Sequence, residues 1–233
     1  APKHIIGFVT EQASSAKIDL PIAHGEGSKL HETEDMFRLL APLKIFGPIP
    51  PLTVTADATL AQQLQTQLPA NIAQGSGPLV ALHISARKEK QRWPVENFVE
   101  LAQRLHAQHA ARFLVFWSPG DENNPFHPGD DGKAAQLLAT LADLPVAPLR
   151  TEHLSELIAG LSLCDAAVLS DGGGMHVAAG LGKPLVCFFG NSSAERWHPW
   201  GVPYELLQKP SRDVSEISVD EAADAFGRLM SRR

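Results

Sequence analysis

Asp171, Gly172, Gly173 and Gly174, with His176 two residues on, stand in the stretch SDGGGMHVAAGLG, between the apolar runs DAAVL and PLVCFF. Glycine lets a backbone approach a ligand closely and take positive φ. The turn leaves a strand-like run and enters a helix, whose first amides lack internal partners and carry partial positive charge. A phosphate or diphosphate suits such a turn; a plain tight turn is the alternative. An aspartate at a strand end accepts hydrogen bonds from sugar hydroxyls, or caps the helix behind it. His176 falls in the first helical turn beside the anion site, or serves as a cap or surface histidine. Two other phosphate signatures fail. G-x-G-x-x-G needs glycine after Gly172 and Gly174 at position 177, where Val177 stands, and a P-loop needs a hydroxyl residue where Pro184 follows Lys183.

Two further loops follow apolar runs. HISARKEKQRWP carries Arg87, Lys88, Lys90 and Arg92. Such a loop neutralises a diphosphate, or is simply a solvated basic loop. FWSPGDENN carries Asp121 and Glu122, either of which can bind ribose hydroxyls; a polar surface turn is the alternative. A diphosphate-like, a basic and an acidic loop at three strand ends fit a nucleotide-sugar.

These loops need a sheet to gather them. Apolar runs at 78–85, 112–117, 144–149, 165–170 and 183–189 read as strands, and helical patterns at 93–109, 132–144, 152–164 and 175–181 alternate with them. Pro94 sits near the start of the 93–109 helix, with Phe98, Ala102 and Leu105 on one face. Near-continuous apolar strands alternating with helices predict an α/β fold, a doubly wound parallel sheet covered on both faces. Ligands of such sheets bind at the carboxyl ends of the strands. Ser218 and Glu221 have capping-box spacing and open a terminal helix. The first 75 residues differ: a strand at 4–10, an amphipathic helix at 28–43, and a proline-rich connector at 46–54. The expected organisation is a partial N-terminal domain and linker over 1–75, a nucleotide-sugar-binding domain over 76–217, and a terminal helix over 218–233 that packs back toward the N-terminal domain.

The chain has 233 residues, 44% hydrophobic and 20% charged, with a formal net charge of −6. That composition is ordinary for a soluble globular protein, and the negative charge argues against general nucleic-acid binding. No apolar run approaches the roughly 18 residues that span a bilayer, and no secretory signal opens the sequence. Cys164 and Cys187 lie in apolar runs and read as small buried hydrophobes. Together these features predict a cytoplasmic protein.

The segments HETEDMFRLLAPL, RWPVENFVELAQRL and SELIAGLSLCDAAVLSDGGGMHVAAGLGKPLVCFFG resemble the lipopolysaccharide core heptosyltransferases of glycosyltransferase family 9. The resemblance covers most of residues 28–205, and its most specific element is Asp-x-Gly-x-x-His over 171–176. It implies an inverting GT-B enzyme with a Rossmann-like donor domain, and the sequence holds no D-x-D motif, so neither a metal bridging the diphosphate nor another cofactor is expected. The reaction it implies is transfer of heptose from ADP-heptose to the lipopolysaccharide inner core at the inner face of the inner membrane. It further implies that Asp171 meets donor sugar hydroxyls and that Gly172, Gly173 and Gly174 underlie the diphosphate. By the same resemblance His176 lies near the sugar, and Ser85 and Lys90 hold phosphate and sugar. Asp121 or Glu122 meets the ribose, and Thr151 and Leu154 line the adenine pocket. Two positions depart from the family: Gly172 stands where threonine is usual, and Gln91 where a lysine is frequent, so Lys90 replaces that lysine only with a one-residue shift. The family's general base, an aspartate near its N-terminus, has no match here, which predicts that this chain is truncated in its first domain. Competing readings are a nucleotide-sugar-binding module without activity, and a related transferase with another donor.

Overall fold

The computed structural model describes residues 3–10, 17–24, 29–124 and 128–232. In chain order its elements are β1 (Ile6–Val9), β2 (Leu20–Ala23), α1 (Glu32–Phe37), α2 (Ala58–Gln67), α3 (Ala70–Ala73), β3 (Leu79–His83), α4 (Val95–His109), β4 (Arg112–Trp117), α5 (Asp131–Thr140) and β5 (Val146–Arg150). There follow α6 (Leu154–Leu163), β6 (Ala166–Ser170), α7 (Gly173–Gly180), β7 (Leu185–Phe189), α8 (Ala194–Trp197), β8 (Tyr204–Gln208) and α9 (Val219–Met230). Contacts divide the chain into residues 1–50 with 193–198, and 51–192 with 199–233. The division falls near residue 50 and not at the expected 75. Residues 51–75 belong to the larger unit because α2 packs on α6 and the Val54 amide donates to the Gly180 carbonyl (2.7 Å).

In the larger unit six parallel strands run in the order β5-β4-β3-β6-β7-β8. Numbered from its own first strand this is 3-2-1-4-5-6, the order of dinucleotide-binding folds. The sequence reverses direction between β3 and β6, and a crevice opens there at the carboxyl ends. Strands β3, β6 and β7 are buried on both faces, as their unbroken apolar runs require. Phe98, Leu101 and Leu105 of α4 and Phe226 and Leu229 of α9 pack in one core with Phe113, Val168 and Phe188. Helix α9 carries the expected capping box: the Ser218 and Glu221 side chains accept each other's backbone amides. It packs on α4, β7 and β8, within the larger unit.

Among the described residues five of these elements escaped the sequence pattern, namely β2, α2, α3, α8 and β8. Strand β8 is a short edge, while α2 buries none of its residues and shows only its Asp57 cap, which accepts the Thr59 and Leu60 amides. Strand β2 pairs in parallel with β1 in the smaller unit. There the expected 28–43 helix is α1 followed by a 3₁₀ segment through Pro42. Fully buried Asp35 contacts Arg38 (2.6 Å), Arg196 (3.2 Å) and His24 (3.4 Å).

A candidate diphosphate site at the strand switch

The crevice between β3 and β6 holds a cavity of about 390 Å³, within the ~300–1,000 Å³ typical of small-molecule sites. Three loops meet in it, the one after β7 contributing Ser192. From β3 come His83, Ser85, Arg87, Lys88 and Gln91; from β6 come Asp171 and Gly172 to Gly174. Register explains the meeting: β3 and β6 are hydrogen-bonded neighbours, with His83 opposite Leu169, so the residues after both strands leave the same edge. A second cavity of about 250 Å³ shares Ser85, Ala86 and Arg87 and is completed by Ser118, Pro119 and Pro128 after β4.

The glycine turn works differently from the sequence expectation. Helix α7 begins at Gly173, two residues earlier than the pattern placed it, so the glycines form its first turn. None of the three takes a left-handed conformation; Gly172 is extended, with φ of 161°. A Cβ added at Gly172 or Gly173 would meet nothing within 4 Å. The glycines therefore provide access, not an unusual backbone: they strip side chains from the helix end that carries unpaired amides. In the acidic loop, by contrast, Gly120 has φ of +120°, and a Cβ on Gly129 would stand 2.3 Å from its carbonyl carbon. Glycine is required there to close the loop.

The basic loop presents Lys88 and not Lys90. Residues Glu89–Gln91 form a 3₁₀ turn, with Gln91 N donating to Lys88 O (3.0 Å) and Arg92 N to Glu89 O (2.9 Å). Three residues per turn eclipse positions 88 and 91, and both line the cavity. Lys90 projects elsewhere, its charge falling on Asp213. Arg92 fastens the loop through its Nε to the Ala86 carbonyl (2.9 Å). Ser85 accepts the Ser118 amide through Oγ (2.8 Å), which leaves its hydroxyl proton to donate into the cavity.

Asp171 is not a helix cap here: helix α7 has no side-chain cap. Its Oδ2 accepts from Nε2 of buried Gln91 (2.9 Å), which also reaches Ser192 Oγ (3.2 Å). Gln208 holds the loop below Ser192 by donating to the carbonyls of Gly190 (2.9 Å) and Ser192 (3.0 Å). The backbone of Lys90–Gln91 lies so near β7 that a Cβ at Gly190 would stand 2.6 Å from the Lys90 carbonyl oxygen.

Other expected residues lie outside both cavities. His176 sits one turn into α7, where burial depresses its pKa and the Asp171 charge opposes this. Asp121 turns its carboxylate onto Asn123 N (2.8 Å) and Nδ2 (2.9 Å), while Glu122 is exposed in the same turn. Thr151 donates its hydroxyl to the Trp117 carbonyl (3.0 Å) at the end of β4, and Leu154 is exposed at the start of α6. The cavity is also lined by residues that the sequence pattern did not single out, among them His83, Gln91 and Ser192. The three-residue spacing of Gln91 from Lys88 was the available signal for one of them.

No helix among the described residues is long and apolar enough to cross a membrane. The sequence profile of glycosyltransferase family 9 (heptosyltransferase) matches residues 1–219. Lipooligosaccharide heptosyltransferase 2 of Haemophilus influenzae is 30% identical over 109 residues, which make up 47% of this chain and 30% of that protein. A glycosyl transferase family 9 structure from Veillonella parvula superposes with a TM-score of 0.73 at 16% identity, over 93% of this chain and 64% of that one. The structure of E. coli ADP-heptose LPS heptosyltransferase II gives 0.65 at 20% identity, over 82% and 56%. The chain thus spans less than two thirds of the length of these relatives.

Proposed function

Since the chain belongs to glycosyltransferase family 9, we propose that the β3–β6 cavity binds the diphosphate and sugar of a nucleotide-sugar, ADP-heptose by analogy with the named relatives. The observation that carries this reading is the convergence of Arg87, Lys88 and a side-chain-free helix end on one cavity that also holds Asp171. The diphosphate rests on the first amides of α7 with Lys88 and Arg87 facing it. Asp171, fixed by Gln91, takes sugar hydroxyls. The adjoining cavity takes the nucleoside, with Glu122 as the acid free to reach a ribose.

In this reading an acceptor hydroxyl attacks the anomeric carbon on the face opposite the diphosphate. The glycosidic bond forms with inversion, and ADP leaves. Lys88, Arg87 and the α7 amides stabilise the charge that develops on the leaving diphosphate without a metal ion. The general base is assigned to no residue of this chain. The acceptor is the lipopolysaccharide inner core, which brings the protein to the inner face of the inner membrane. The larger unit is then the donor-binding domain, and the smaller unit belongs to the acceptor side.

ADP at about ten times its Kd is expected to stabilise the protein by about 1.4 kcal/mol, a midpoint rise of roughly 3–6 °C for a chain of this size. Thermal melts with ADP, UDP and tripolyphosphate check this; no response to ADP, or an equal response to all three, counts against a nucleotide site. Within the loop, Lys88→Ala is expected to weaken ADP by about 1 kcal/mol, modest because the ammonium is exposed. Lys90→Ala should change little. Titration of both variants decides the register of the loop, and the opposite order overturns the 3₁₀ argument.

A further inference from the structure

His83 ends β3 on the cavity floor, and nothing in the reading above uses it. Its ring abuts the diphosphate turn, because a Cβ added at Gly174 would stand 3.5 Å from His83 Nε2 and Cδ2. We propose that His83 is a ligand-binding residue of this site: a neutral imidazole in the free protein that takes up one proton as a diphosphate settles on the first turn of α7, and then faces it as a cation. The inference rests on the cavity being a diphosphate site.

The surroundings of the ring carry the argument. Cations face the cavity from the loop after β3, namely Arg87 and Lys88. Asp171 faces it after β6, and His176 lies one turn further along α7. Behind the ring, at the start of α5, buried Asp130 exerts its charge on His83. Lys133 Nζ is 3.2 Å from Asp130 Oδ1, yet neither carboxylate oxygen receives an aligned hydrogen bond among the described residues. Lys133 already places one cation at Asp130, and the carboxylate charge still favours the protonated form of His83. Burial depresses the His83 pKa below its ordinary value, against the pull of the Ser85 and His83 carbonyls and of Asp130. Desolvation outweighs these opposing influences in the free protein, so the imidazole is neutral until a further negative charge arrives. A diphosphate diester adds two negative charges in front of it, and an opposite charge at contact distance raises a pKa by roughly 1–3.

The sign follows from linkage. The free protein holds His83 neutral down to a pKa below 6.5, and the complex holds it protonated to a higher pH. Between those two values binding takes up a proton, and affinity rises as pH falls, by at most about tenfold per pH unit.

Calorimetric titration with ADP-ribose tests this, since its esterified diphosphate does not titrate near neutrality. Runs at pH 7 in buffers of different ionisation heat count the protons. The wild-type protein is expected to take up a substantial fraction of one proton per site. His83→Gln, checked for an intact melting transition, should abolish the uptake, flatten the pH profile and bind roughly 10- to 150-fold more weakly, as for one charge-assisted hydrogen bond. Binding of ADP-ribose without proton uptake by the wild-type protein overturns the role of His83 and leaves the diphosphate site standing. Uptake that persists in His83→Gln assigns the proton to another group, His176 first, and also overturns it. If ADP-ribose, ADP and tripolyphosphate all fail to bind, the diphosphate reading falls, and this inference with it.

Discussion

Replacing Trp93 by alanine is expected to cost about 3–5 kcal/mol of stability, the range for emptying a large aromatic site in a core. Trp93 is 1% exposed. Its ring meets Phe98 edge-on at 4.9 Å and Phe188 at 4.7 Å. Its Nε1 donates to the Ile217 carbonyl (2.8 Å), which joins the basic loop to the residue before the α9 cap. Trp93→Phe separates the two contributions. It keeps most of the packing and strips the donor from a buried carbonyl, so about 1–3 kcal/mol should be lost. Denaturant titration of both variants, with the slope compared to wild type, reads the result. A loss below about 1 kcal/mol for Trp93→Ala would show that the core collapses around the gap. Because Trp93 follows the loop directly, the alanine variant should also bind ADP more weakly at temperatures where it remains folded.

The role of Trp93 marks a limit of what its sequence context reveals. RWP before an amphipathic run announces a helix start, and α4 begins beside it at Val95. Nothing in that tripeptide points to Ile217, 124 positions away. The same division runs through the fold. Unbroken apolar strands alternating with helices make a parallel sheet legible, because a strand buried on both faces has no room for polar residues. The order of those strands is set by long-range packing and has no local signature, so the β3–β6 neighbourhood emerges only in three dimensions. The weak elements, α2 and β8, bury little or sit at an edge, and their sequences are correspondingly unpatterned. At the site, the glycine turn and the basic loop were legible by composition. Which lysine faces the cavity was not, because a 3₁₀ turn of three residues decides it and a frame shift of one residue reverses the answer. His83 was hidden for a related reason: at the end of an apolar strand it looks like part of the core pattern.

Asp171→Ala is expected to weaken a nucleotide-sugar by about 1.5–3 kcal/mol, roughly 10- to 150-fold, through the loss of charged hydrogen bonds to sugar hydroxyls. It should leave ADP unchanged or slightly tighter. The asymmetry arises because a carboxylate beside a diphosphate is repulsive, and only a hydroxyl-bearing sugar offsets that repulsion. The geometry sharpens this. Asp171 Oδ2 is committed to Gln91 Nε2 at 2.9 Å, so Oδ1 is the oxygen available to a ligand. Gln91 is buried and has a second partner in Ser192, which fixes the carboxylate before any sugar arrives. Asp171→Asn should fall between alanine and wild type, since its amide keeps one acceptor but presents a donor in place of the other. Gln91→Ala leaves the charge intact and loosens it, so it should share the sugar-selective loss to a smaller degree. Titrating ADP and ADP-heptose against each variant gives the ratio that matters. A parallel weakening of both ligands would mean that Asp171 holds the loop through Gln91, with no part in reading the sugar.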